Sequence, residues 1–176
     1  IQYGTSTETA QQLQATGTAS YLHSLKLSGL NADTDYYFKV VAGDLTDDNQ
    51  GSCYHFVTCN TDNGTPYSVY GRVLMEDGST SAAGGIVHLG LTNSNGDQSL
   101  PLSSLTDSDG YWNLDLGNLR QAVSLEVLDY QVNDLIRVEA EAGPDGWGQQ
   151  QVAVATEPQE NGTITFQQNH RPARNL

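Results

Sequence analysis

Residues 35–44 read DYYFKVVAGD, and this stretch decides the fold class. Tyr36, Phe38 and Val40 fall on one side of an extended chain, and Tyr37, Lys39 and Val41 on the other, because successive strand side chains point to opposite faces. Aromatic and β-branched residues suit such a pleated, half-buried surface. Gly43 and Asp44 then end the run with turn chemistry. Upstream, SYLHSLKLSGL (20–30) alternates through Tyr21, His23, Leu25 and Leu27, breaks at Ser28-Gly29 and reaches Leu30. Downstream, SCYHFVTC (52–59) places Tyr54, Phe56 and Thr58 together. The turn formers NTDNGTP (60–66) follow and mark a boundary.

Beyond that boundary the pattern restarts. Val69, Gly71 and Val73 share a face, a Glu-Asp-Gly turn follows, and Ile86, Val87 and Leu89 form the next strand. PLSSLTDSDGYWNLDLGNL (101–119) gives two strands around Asp-Ser-Asp-Gly, with Trp112, Leu114 and Leu116 facing one way and Tyr111, Asn113 and Asp115 the other. DLIRVEAEAG, QQQVAVATE and GTITFQ supply three later strands, with Asn161-Gly162 as a hairpin turn. The tail, 169–176, has no periodicity. No window sustains a helical period, so the expected class is all-β: two tandem β-sandwich domains over 1–60 and 67–168, joined by a 61–66 linker.

Composition narrows the partners. Seven basic residues against 21 acidic ones give a formal charge of −14, which repels nucleic-acid phosphates and anionic lipid. No apolar run approaches the roughly 20 residues that a membrane helix needs. Asn63 and Asn161 each begin an Asn-Gly-Thr sequon and are glycosylation candidates.

IQYGTS (1–6), the Leu30-to-Tyr36 spacing, the alternation that follows it and HFVT (55–58) resemble the fibronectin type III fold, in the form found in bacterial surface proteins. The resemblance implies a structural role for Leu30 and Tyr36, the tyrosine hydroxyl bonding back across a corner of the sandwich. It also makes IQYGTS a third strand and GSCYHFVT (51–58) the last, so the first sandwich is expected to be incomplete, lacking its first two strands. VYGRVLMEDGSTSAAGGIVHLGL and TDSDGYWNLDL resemble the carboxypeptidase regulatory-like domains, small transthyretin-like sandwiches that accompany enzymes and adhesins without catalysing. That likeness implies a turn at TDSDGYW shaped by Gly110, with Trp112 in the core. The isopeptide cross-link of the related collagen-adhesin repeats is excluded there, because both lysines, Lys26 and Lys39, lie in the first half.

The chain is poor in recognisable chemistry. His23, His55, His88 and His170 stand apart with no His-x-x-x-His spacing, and neither a Gly-x-Ser-x-Gly elbow nor a phosphate-binding glycine loop occurs. Asp107 and Asp109 begin like a calcium loop, yet position twelve is Asn118 rather than the bidentate glutamate. They remain a weak calcium candidate. Trp147, between glycines, and Tyr111 are candidates for carbohydrate contact; alternatively Trp147 plugs the end of a sandwich or the seam between domains. Cys53 and Cys59 sit on one strand at a span of roughly 20 Å, while a disulfide needs Cα atoms within about 7 Å. A local bond requires the strand to bend or stop. Otherwise each is free or pairs with another chain.

These readings lead to the expectation of a non-catalytic extracellular or cell-surface structural and adhesive protein, without cofactor. It would be a subunit of an assembly or filament, a homo-oligomer or multi-chain particle, in which a neighbouring chain supplies the missing strands by strand addition. Two other readings stay open: an accessory carbohydrate-binding or spacer module of a secreted hydrolase, and the soluble partner chain of a split pilin.

Overall fold

The computed structural model describes residues 1–9, 11–12 and 22–167. Tyr21, His170 and the 169–176 tail lie outside the described residues, as does the side chain of Asn161. The chain is all-β and divides into two compact units, Ile1–Thr61 and Asp62–Leu176.

The first unit is one sheet among the described residues. Strands β1 (Gln2–Gly4), β2 (Gln11–Gln12), β3 (Asp35–Ala42) and β4 (Leu45–Asp47) run in the order β2-β1-β3-β4, and β5 (Tyr54–Val57) also pairs with β3. The alternation of 35–42 explains its centrality. One face carries Tyr36 and Phe38, with Tyr3 opposite Phe38 on β1, and Phe56 and Tyr54 opposite them on β5. The rings stack across the β3–β5 pair, Tyr36 on Phe56 at 5.6 Å and Phe38 on Tyr54 at 5.1 Å. Such cross-strand aromatic pairs contribute about 0.2–1 kcal/mol each.

Residues 22–28 correct one expectation. Their alternation is that of a strand, and Leu25 and Leu27 are indeed half-buried while Ser24, Lys26 and Ser28 are exposed. Yet they belong to no strand, because no strand among the described residues completes a ladder with them. Pattern sets which way side chains point; a ladder also needs a partner.

The second unit is a sandwich of two sheets. Strands β6 (Ser68–Leu74), β9 (Tyr111–Asp115) and β12 (Gln159–Thr165) form one, in the order β12-β6-β9. Strands β7 (Ile86–Thr92), β8 (Leu102–Leu105), β10 (Leu135–Glu141) and β11 (Trp147–Ala153) form the other, in the order β11-β10-β7-β8. Period-two alternation puts Val69 and Val73 of the first sheet, and Val87, Leu89, Ile136 and Val138 of the second, in one core at zero exposure. Each such burial contributes about 1.5–3 kcal/mol. The expected 61–66 linker is tied into this unit: Gly64 N–H donates to Gly117 O and the Tyr130 hydroxyl to Thr65 O.

Asn161-Gly162 is also corrected. It makes no hairpin turn; it lies within β12 at a break in register between Glu160 and Thr163, Gly162 having φ of 72°. β12 runs parallel to β6, which a two-residue hairpin cannot achieve. The glycine supplies the bulge that bends the strand.

Gly71 and Gly110 have identifiable jobs. A Cβ on Gly71 would stand 2.8 Å from Gly162 O and 3.1 Å from the Trp112 ring, so its absence lets the indole lie across β6. Gly110 has φ of 80°, and a Cβ there would meet Val73 O at 2.4 Å. Gly110→Ala is expected to destabilise the second unit by more than about 2 kcal/mol. Gly43→Ala, with φ of 60° and open space around it, should leave this unit unchanged. Denaturation followed by tryptophan fluorescence checks both, since Trp112 and Trp147 belong to the second unit alone.

Candidate functional site

The candidate site is the first unit's aromatic face together with the segment that leads into β3. Among the described residues, Tyr36 and Cys53 are the buried hydrophobic residues of this unit, against 18 in the second. Phe38, Phe56, Tyr54 and Tyr3 are half-buried, and Val40 and Leu45 are 46% and 76% exposed. The described part of this unit thus encloses little apolar surface to offset its conformational entropy. Ahead of β3 in the chain, residues 23–29 donate and accept no backbone hydrogen bond among the described residues. An extended chain with free N–H and C=O groups and an apolar side at Leu25 and Leu27 is a template for strand addition.

The segment is held at its downstream end. Asn31 N–H donates to the Tyr36 hydroxyl at 3.0 Å, Thr58 Oγ1–H donates to Asn31 O at 2.6 Å, and Thr34 N–H donates to Thr58 Oγ1 at 3.0 Å. Tyr36, 5% exposed, thus pins the corner between this segment and β3. Leu30 is half-buried at the same corner.

Both cysteines are free. Cys53 is buried in a left-handed backbone conformation (φ 58°), its thiol 3.5 Å from Thr7 O, while Cys59 is half-buried past the end of β5. Cys59 is therefore expected to react with a thiol reagent several-fold faster than Cys53, as mass-resolved labelling of the native chain would show. Equal rates would contradict this placement.

In the second unit, Asp107 Oδ1 accepts from Asp109 N and Tyr111 N, both at 2.9 Å. That oxygen is used to close the turn. Asp109 O accepts from Arg72 Nε, and no group of three His, Cys, Asp or Glu side chains suited to a metal occurs among the described residues. Trp112 is buried between the sheets. Asn63 is exposed.

The two aromatic candidates do not share a surface. Trp147 is half-buried on the four-stranded sheet, and its flanking glycines serve packing: a Cβ on Gly148 would stand 2.5 Å from Ile164, and one on Gly146 2.9 Å from Phe166. Tyr111, 48% exposed, lies on the outer face of the other sheet, with Tyr70 and Asn113. Arg72 is 5.3 Å from its ring centroid, fixed there by Asp109 O and Ser81 Oγ.

Sequence reading missed two clusters. Ser103, His88 and Glu141 meet across three strands, with His88 Nδ1 2.8 Å from Ser103 Oγ and Nε2 3.6 Å from Glu141 Oε1. The second distance is too long for a hydrogen bond, and the row lies on an outward sheet face, so the oriented imidazole of a nucleophilic triad is lacking. The other is Asp77, whose carboxylate accepts from Thr80 Oγ1, Thr80 N and Ser79 N. These bonds, the Thr80 hydroxyl foremost, hold its carboxyl well below the usual range. The turn's contribution to stability is then complete above the unfolded pKa of about 4 and is lost as pH falls through the lower folded value. A carbon-detected titration should place the Asp77 midpoint well below the ordinary carboxylate range, and a midpoint at the ordinary value would contradict these bonds.

No protein-family model matches the chain, and no curated protein is significantly similar to it.

Proposed function

We propose that this chain is a non-catalytic structural or adhesive subunit of an extracellular, cell-surface assembly, and that a neighbouring chain completes its first unit by strand addition. One observation carries the proposal: segment 23–29, which makes no backbone hydrogen bond among the described residues, leads into a sheet whose aromatic residues are only half-buried. The fibronectin type III resemblance supports it, since β1 pairing with β3 and β3 with β5 fits IQYG as a third strand and YHFV as a last one. The second unit, with its own closed core, serves as a spacer of the regulatory-like type.

The partner is an extended segment alternating apolar and polar residues. It lies along 23–28, takes the free N–H and C=O groups, and lays its apolar side against Phe38 and Phe56. Lys26→Pro tests this. Proline removes an N–H that has no bond in the isolated chain, so folding stability should change by no more than about 0.5 kcal/mol. A paired strand would lose a ladder bond and meet a steric block. In extracts of the producing cell's surface, the native chain should run within a larger particle and the variant at the size of a single chain. A native chain that runs alone contradicts the proposal.

A second reading has its own support. The outward pair Tyr70 and Tyr111, beside Asn113 and the fixed Arg72, makes a flat aromatic surface on which sugar rings could stack. An accessory carbohydrate-binding module would show glycan binding that Tyr111→Ala abolishes. Silence across a glycan panel would count against it.

A further inference from the structure

At one end of the second unit, a cavity of about 260 Å³ opens between Tyr67, Val127, Tyr130, Val154 and Thr156. A shallower one of about 180 Å³, lined by Asn93, Ser94, Asn95 and Asp134, shares Asp129, Tyr130 and Gln131 with it. The two form one groove that is apolar on one side of the Tyr130 ring and polar on the other.

The groove is negative. Asp129 and Asp134 line it, and neither Lys nor Arg does. Asp134 is committed, accepting from Gln131 N at 2.8 Å. The exposed Asp129 carboxylate makes no hydrogen bond or ion pair among the described residues. Burial first, and then Asp115, push the Tyr130 hydroxyl above its ordinary pKa; Glu157 adds to the same effect at Tyr67. A guanidinium fits this place, because it can lie on the Tyr130 ring while Asp129 accepts its N–H groups.

In this acidic chain, Arg171 and Arg174 stand in a stretch, QNHRPARNL (168–176), that has no acidic residue. Pro172 and Ala173 between them bring small apolar surface, and proline lowers the cost of ordering a bound peptide. We propose that the groove around Tyr130 receives residues 169–176 of a second copy of this chain, its arginines against Asp129 and its apolar residues against Tyr67 and Val154.

Topology favours a second copy over the same one. β12 runs parallel to β6, Gln159 pairing with Val69 and Thr165 with Leu74, so Gln167 leaves at the end opposite Gly64, Thr65 and Tyr67. The ends are separated by at least the length of β6, roughly 20 Å. Four residues from Gln167 to Arg171 reach at most roughly 14 Å, and seven to Arg174 roughly 25 Å. Within one chain Arg174 can arrive, but Arg171 only with its backbone and side chain both fully extended. Between copies both can, and a contact of one end with the opposite end repeats into a ring or filament. This contact is separate from strand addition to the first unit, and fails or holds independently of it.

The test uses the full chain in two forms, Asp129→Lys and the double variant Arg171→Gln/Arg174→Gln. Both changes are away from the core, and circular dichroism confirms folding. In sedimentation velocity at low salt, the native chain should form oligomers that grow with concentration, while each variant alone should stay monomeric. Mixing the two should give one-to-one dimers that grow no further, because one intact groove then meets one intact tail. A synthetic NHRPARNL peptide should shift the Asp129–Val132 amides of the native chain and bind the Asp129→Lys chain about tenfold more weakly. Oligomers that survive either variant overturn the proposal. So does a native monomer that leaves the peptide unbound, or one whose own tail already perturbs the groove.

Discussion

A backbone N–H or C=O taken out of water must find another partner, and residues 23–29 present a row of such groups with none among the described residues. That constraint organises the first unit. Its central strand β3 is paired on both sides, its aromatic rings stack on β5, and the Tyr36 corner holds the extended segment in place. Among the described residues, neither a second layer over the rings nor a ladder for 23–28 is present. Covering the rings would remove apolar surface from water, and the ladder would fix the register of the covering strand. The two gaps point to the same kind of partner.

The second unit stands in contrast, because its sheets close on each other. Val69, Val87, Leu89, Leu119, Ile136 and Val138 are at zero exposure, and the close approaches at Gly71, Gly110 and Gly148 let backbone and rings pack where a methyl group would collide. Its core is enclosed within the unit itself. The Tyr130 groove and the Tyr70–Tyr111 face are therefore features a stable scaffold presents.

Most of this architecture was legible in the sequence, since period-two alternation marks strands and turn formers mark their ends. The 35–42 strand, the core faces of β6 and β9 and the place of β7 were read from those signals, and the turn shaped by Gly110 from the regulatory-like resemblance. Two failures are instructive. Residues 22–28 have the pattern of a strand, but pattern says nothing of whether a partner lies alongside. Asn161-Gly162 has the composition of a hairpin turn, yet the same glycine can serve a bulge, and local composition cannot tell the two apart. The site residues were less legible. Trp147 drew attention through its glycines, which proved to serve packing against Ile164 and Phe166. Tyr70, Tyr130 and Asp129 carried no local signal, because strand register and loop packing across distant segments bring their neighbours to them.

Hydrogen exchange of the individual backbone amides at 23–29, measured on the isolated chain and on the native surface particle, tests the central claim most directly. The account predicts exchange near the unprotected rate in the isolated chain and protection of alternate amides in the particle, as one ladder edge requires. Slow exchange of these amides in a monodisperse isolated monomer would contradict it.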